Sequence, residues 1–181
     1  YIKEDGTVIK EAICLYLGKE YVPGIKIIFL DVDGVLNSAY TKDTCGRYIG
    51  IEDKKVSLLK EIVDKSGAKI ILVSTWKEYW YKDGFKQEQD YMANYLDEKL
   101  AKQGLKIVDK TDDYNSFDRG DGILEYISEL QEVGIEVDKF VILDDEMFDY
   151  KKTKLTNNLI QTSYLEGLKE KHVRRAIEKL C

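Results

Sequence analysis

The sequence predicts an α/β fold, a doubly wound and mostly parallel sheet. Three observations carry that expectation. Five short apolar runs recur along the chain, at Ile25–Leu30, Lys69–Val73, Leu105–Val108, Phe140–Leu143 and Asn158–Gln161. Most are continuous rather than alternating, as in parallel strands covered on both faces. Helical stripes separate them, each closed by a glycine where a left-handed C′ residue would fall.

Each element can be taken in order. Residues 1–24 stand outside the repeat: Val8, Ile9, Ala12, Ile13 and Tyr16 suit a short amphipathic helix ending at Gly18, and a hairpin fits nearly as well. We therefore expect an N-terminal extension over 1–24 and the main domain over 25–181. The first strand is Ile25–Leu30. Val56, Leu59, Ile62 and Val63 then form a stripe that ends near Gly67. After the second strand, Met92, Tyr95, Leu96 and Leu100 mark a crossover helix over Gln87 to Gln103, stopping before Gly104. Ile123, Tyr126, Ile127 and Leu130 form a third helix that stops before Gly134, and Val173, Ala176, Ile177 and Leu180 form the last.

Composition narrows the class. With 181 residues, 44% hydrophobic content and one proline, the chain can bury a core of its own. The start at Tyr1 rather than Met leads us to expect a piece of a longer protein. There is no signal-peptide pattern, and no apolar run approaches the roughly 20 residues that span a bilayer, so no membrane partner is expected. Three scattered cysteines (Cys14, Cys45, Cys181) and one histidine, His172, exclude a cysteine–histidine zinc site of ordinary spacing. Reduced thiols in a cytoplasm fit better. The net charge of −6 lends no support to nonspecific nucleic-acid binding, which usually needs a basic surplus.

Polar residues gather where strands end, which in open α/β sheets is where ligands bind. The first strand runs into Asp31-Val32-Asp33-Gly34-Val35-Leu36-Asn37, and strand alternation puts Asp31 and Asp33 on one side. Acids ending a buried apolar strand need a cation or hydrogen bonds, although Asp33-Gly34 is also an ordinary turn dipeptide. The second strand ends in Ser74-Thr75-Trp76-Lys77, whose hydroxyls can bind phosphate or simply cap a helix. The fourth ends in Asp144-Asp145-Glu146, with Asp149 following; these are hard oxygen ligands or a solvated loop. Arg119-Gly120 opens the third helix, where a fixed cation can meet a phosphate oxygen.

Together, in that order, these segments resemble the haloacid dehalogenase (HAD) superfamily of phosphohydrolases. IIFLDVDGVLN is similar to its first motif, ILVST to its second, Arg119 to its third and FVILDDE to its fourth. More narrowly, DGVLN, STWK, RGxxI ahead of the DD pair, and the tail with Gly167-Leu168 and AIxxL resemble the HAD-like domains of Swiss Army Knife RNA repair proteins. The resemblance implies a five-stranded sheet of order 3-2-1-4-5 and a Mg²⁺ cofactor held by Asp31, the Asp33 carbonyl, Asp144 and Asp145. It implies Asp31 as nucleophile and Asp33 as acid and base. It assigns the transferring phosphate to Gly34, Ser74 and Thr75, with Arg119 or Lys77 filling the third-motif role.

Only about 30 residues separate Asn37 from the second strand, which leaves room for a minimal cap or none. An open site suits a phosphate on something large, a nucleic-acid end or a protein; a small metabolite is the alternative, and a catalytically silent binding module another. The aromatic segment Trp76, Tyr79, Trp80, Tyr81, Phe85 could stack on bases or pack in the core. Lys77, Lys82 and Lys86 could contact phosphates. A metal nuclease would not need an acid pair and a hydroxyl on successive strands, and a phospho-acceptor receiver domain has them in another order.

Overall fold

The computed structural model of the chain describes residues 23–83, 85–112 and 116–181. The helix or hairpin expected at Val8–Gly18 lies outside the described residues. Five parallel strands form the main sheet: β1 (Ile25–Leu30), β4 (Lys69–Leu72), β5 (Ile107–Lys110), β6 (Val137–Asp144) and β7 (Leu159–Gln161). Their order is β5-β4-β1-β6-β7, which is the expected 3-2-1-4-5 pattern. A two-stranded antiparallel hairpin, β2 (Thr44–Cys45) and β3 (Tyr48–Ile49), stands apart from it. The described residues form four α-helices: α1 (Asp53–Ser66), α2 (Tyr91–Ala101), α3 (Arg119–Glu132) and α4 (Glu170–Leu180).

The continuous apolar run of β1 is explained by burial on both faces. Ile28 and Leu30 join the core formed with α1, α2 and α4, through Val56, Leu59, Leu96, Leu100, Val173 and Leu180. Ile27 and Phe29 point the other way, into a second core with Ile123 of α3, Tyr150 and Leu155. The chain winds outward from β1 through β4 to β5, then returns on the other face to place β6 beside β1. The strand order therefore reverses between β1 and β6.

Several boundaries differ from the sequence expectation, each for a local reason. The third strand begins at Ile107, not Leu105, because Gly104 takes a left-handed φ of 73° and Leu105 N–H closes back onto Leu100 C=O at 3.0 Å. Leu105 thus finishes the helix rather than opening the strand. Helix α2 starts at Tyr91, not Gln87, because the Asp90 carboxylate accepts from Ala93 N–H at 2.8 Å and caps it there. Gly67 closes α1 with φ 70°, as the stripe predicts.

The β2–β3 hairpin has no counterpart in the sequence reading, since two-residue strands carry no period. Gly46, at φ 59°, opens its two-residue turn. Its base is held to α2: Tyr95 Oη accepts from Ile51 N–H at 3.0 Å, and the buried Lys99 ion-pairs with Asp53 at 2.6 Å and Asp43 at 3.3 Å. No helix among the described residues is long and apolar enough to cross a membrane.

Candidate active site

Strand register alone brings the first two acids together. β1 pairs with β6 through Leu30↔Leu143, and Asp31 N–H continues the ladder by donating to Leu143 C=O at 2.9 Å. Asp31 and Asp144 therefore end neighbouring strands at the point where strand order reverses, the usual ligand position in such sheets. Asp145 follows, and one carboxylate oxygen from each of Asp31, Asp144 and Asp145 lies within 4.8 Å of the others.

One cation enters this cluster. Arg119, the buried first residue of α3, places Nη1 2.7 Å from Asp144 Oδ2 and 3.3 Å from Asp31 Oδ1. Its guanidinium carbon lies 4.2 Å from the centre of the Phe148 ring, which fixes the plane of the fork. Phe148 takes the left-handed region, φ 39°, to do so. Arg119 Nε is buried with no hydrogen-bond partner among the described residues. Asp144 is held further by Tyr150 Oη, donating at 2.8 Å, and by Glu146 N–H at 3.0 Å.

Three carboxyls against one guanidinium leave, once all are ionised, two negative charges without a partner inside the cluster. Burial, the largest influence, pushes the Asp31 carboxyl up to about 7; Arg119 and a hydrogen bond from Ser74 pull it down, and Asp144 pushes it up. Burial, with Asp144 and Glu146 nearby, raises Asp145 to about 6, and burial likewise raises Asp144. Charge of this sign and hard oxygen donors of this kind fit a divalent ion such as Mg²⁺.

Asp33 sits to one side of that cluster. Its carboxylate accepts from Trp76 Nε1 at 2.9 Å and from Asn37 Nδ2 at 2.8 Å, which fixes its direction. Asn37 Oδ1 in turn accepts from Gly34 N–H at 2.9 Å, closing the DGVLN turn on itself. Gly34 has φ 69°, and a Cβ there would collide with the Asp145 carboxylate, so only glycine lets the turn approach the acids. Thr162, just past β7, donates to Gly34 C=O at 2.6 Å.

The remaining expected residues separate. Ser74, fully buried, hydrogen-bonds Asp31 and caps the short 3₁₀ turn Thr75–Tyr79 by accepting from Trp76 N–H. Thr75 is exposed beside Asp33. Lys77 Nζ donates to Thr111 Oγ1 at 2.9 Å, whereas Arg119 is the cation that pairs with Asp31 and Asp144. Lys82 pairs with Asp109 at 2.7 Å and Lys86 with Asp97 at 2.6 Å. Asp149 accepts from Gly120 N–H at 2.7 Å and Asp121 N–H at 3.0 Å, capping α3 rather than joining the other acids.

Trp80, for which stacking on bases and packing in the core were both open, is 1% exposed and donates Nε1 to Asp97 at 2.9 Å; it belongs to the core. A cleft of about 730 Å³ opens instead between hairpin β2–β3, the Thr75–Tyr79 turn and the start of α2, with Asp33 in its wall. Sequence reasoning missed the hairpin, Tyr150 and Thr162. Asn37 and Trp76 were visible within the DGVLN and STWK segments, without their role of aiming Asp33.

A parallel 3-2-1-4-5 sheet with this acid cluster at the β1/β6 crevice defines a HAD-like α/β protein. The sequence profile of the HAD domain in Swiss Army Knife RNA repair proteins matches residues 27–173, and the chain belongs to that family. Among solved structures, it is similar to a protein of Mesorhizobium loti described as a HAD-like phosphatase, with 14% identity, a TM-score of 0.48, and coverage of 90% of this chain and 89% of that one. No curated protein matches the chain.

Proposed function

We propose that the chain is a Mg²⁺-dependent phosphomonoesterase that works through an aspartyl-phosphate on Asp31 and acts on phosphorylated nucleic-acid ends. The observation that carries this is the buried Asp31–Arg119–Asp144–Asp145 cluster with a separately aimed Asp33 beside it. Residues 25–181 are the catalytic unit in this reading, in a cytoplasmic protein.

Asp31, ionised beside Arg119, attacks phosphorus as the bond to the leaving oxygen breaks. Asp33, oriented by Trp76 and Asn37, gives its proton to that oxygen. Water then attacks phosphorus and passes a proton to Asp33, and the Asp31–phosphorus bond breaks to release phosphate. Ser74, Thr75, the Gly34 backbone and Arg119 steady the phosphoryl oxygens as charge shifts among them. A divalent ion held by Asp31, the Asp33 carbonyl, Asp144 and Asp145 supplies charge neutralisation that lets an anionic nucleophile meet an anionic phosphate. The nucleic-acid end is supported by the family's RNA repair context and by the open cleft beside Asp33.

The test is turnover of a phosphorylated oligonucleotide with Mg²⁺, followed by acid quench and peptide mapping. Phosphate is expected on Asp31 in the wild type and absent in Asp31→Asn. Phosphate on another residue, or turnover in Asp31→Asn, would overturn the reading.

A further inference from the structure

The side of the site on which the leaving group lies is fixed by the acid that protonates it. Asp33 lies outside the Asp31–Asp144–Asp145 cluster, with its carboxylate held by Trp76 Nε1 and Asn37 Nδ2. On that side the space is the 730 Å³ cleft, within the roughly 300–1,000 Å³ range of small-ligand sites. An alcohol protonated by Asp33 would have this cleft to project into.

The cleft's rim is aromatic. Tyr48 comes from the hairpin, Tyr79 from the 3₁₀ turn, Tyr91 from the first turn of α2, and Tyr164 from the loop after β7. All four are between 43% and 56% exposed, so large apolar faces stand in solvent at one opening. A protein leaves such surface bare where a ligand covers it. The rings are also placed by tight packing: a Cβ on Gly46 would press on the Tyr91 ring, so the glycine turn lets the hairpin lie against it.

The charges choose among ring-bearing ligands. Glu78 and Asp90 line the same cleft beside Asp33; among the described residues that line it the one cation is Arg47, which lies over the Tyr48 ring at 5.2 Å. Carboxylates outnumber cations, which disfavours a second phosphate there. They suit a flat ring with N–H donors at its edge, which a nucleobase has and a phenol ring lacks. Flat rings stack on aromatic side chains through their π-faces whatever the base.

We propose that this tyrosine-rimmed cleft is a nucleobase subsite, seating the base of the terminal nucleoside whose phosphate reaches Asp31, with Tyr79 and Tyr91 as principal stacking surfaces. The proposal rests on the phosphomonoesterase reading for its orientation but not for the binding it describes.

The test compares kcat/KM with Mg²⁺ for 5′-AMP, 3′-AMP, glycerol phosphate and phosphotyrosine, and separately follows adenosine binding by quenching of protein fluorescence. At least one AMP isomer should exceed glycerol phosphate roughly tenfold or more. In the Tyr79→Ala/Tyr91→Ala double variant that ratio should collapse toward one, and adenosine binding should be lost. Tyr40→Ala, 77% exposed and outside this cleft, should keep both. Glycerol phosphate or phosphotyrosine turned over as well as AMP would overturn the subsite and leave the phosphatase reading standing. If neither these esters nor a phosphorylated oligonucleotide is turned over, the phosphatase reading fails. Adenosine binding then decides the subsite alone: loss in the double variant supports it, and no binding by the wild type overturns it.

Discussion

Tyr150 donates its hydroxyl to Asp144 Oδ2 at 2.8 Å, the same oxygen that Arg119 reaches at 2.7 Å. Neither residue projects into the cleft beside Asp33, yet together they hold the carboxylate that ends β6. The phenol is itself fully buried, and burial next to Asp144 raises its pKa, so it remains a donor across the working pH range.

Tyr150→Phe keeps the ring and removes only that donor. A hydrogen bond to a charged group contributes about 1.5–3 kcal/mol, so we expect a fall in stability of that order. Mg²⁺ affinity should fall as well, because Asp144 loses one of its two fixing contacts on Oδ2. Calorimetric titration and thermal unfolding check both; unchanged values in each would mean that Arg119 alone sets Asp144.

Asp31→Asn should abolish turnover of an aryl phosphate while the fold survives. The Asp31 carboxyl, raised to about 7 by burial, is the case in which the folded state holds its proton more tightly than the unfolded chain. Its contribution to stability is therefore present at low pH and lost as pH rises from about 4 through about 7. At pH 8 without metal, the neutral amide removes that cost, and its Tm should equal or exceed the wild type's. A variant that is inactive and poorly folded would point to a structural role for Asp31 instead.

Asp144→Ala is expected to weaken Mg²⁺ binding more than Glu146→Ala. Asp144 is buried within the acid cluster, whereas the Glu146 side chain is exposed and contributes its backbone N–H to Asp144. Equal effects in a titration would disprove this difference.

His172 supplies a pH dependence of opposite sign. Its Nδ1 accepts from Lys169 N–H at 3.1 Å, pairing a backbone donor at the start of α4. Burial, with Lys171, Arg175 and Lys169 around it, lowers its pKa to about 4. The unfolded chain then binds the proton more readily, so this stability is present above about 6.5 and lost as pH falls through about 4. Relative to His172→Gln, the wild type should lose Tm on acidification across that window; parallel Tm curves would contradict it.

Much of this architecture was legible because it rests on one-dimensional signals. Continuous apolar strands, helical stripes and the glycines at 67, 104 and 134 marked β1, α1, α2 and α3 within a few residues. Asp31, Ser74, Arg119 and Asp144 were legible because strand ends and helix starts deliver them, and register did the rest. What escaped depends on distant partners. Tyr150 reaches Asp144 only because residues 145–155 fold back under α3, and Arg47 and Tyr48 reach the cleft only through the short β2–β3 hairpin. Trp80 and Lys86 show the reverse: a surface-like segment whose members pair with Asp97 and close inward.

The acid cluster ties metal binding to pH. Without metal, Asp31 titrates at about 7 and Asp145 at about 6, both raised mainly by burial. A divalent ion needs both as carboxylates, so binding below pH 7 must displace protons and is weakened by them. Affinity for Mg²⁺ should therefore fall steadily as pH drops from 8 to 5.5, with protons released on binding at the acid end. The same carboxyls contribute stability that is lost as pH rises through 6 and 7, because their folded pKa values lie above the unfolded ones. Added Mg²⁺ should offset that loss and raise Tm more at pH 8 than at pH 5.5. Titration calorimetry in two buffers of different ionisation enthalpy counts the protons, and thermal unfolding at both pH values reads the stabilisation. A Mg²⁺-induced shift in Tm that is the same at pH 5.5 and pH 8, with no proton release, would show that the ion does not bind among Asp31, Asp144 and Asp145.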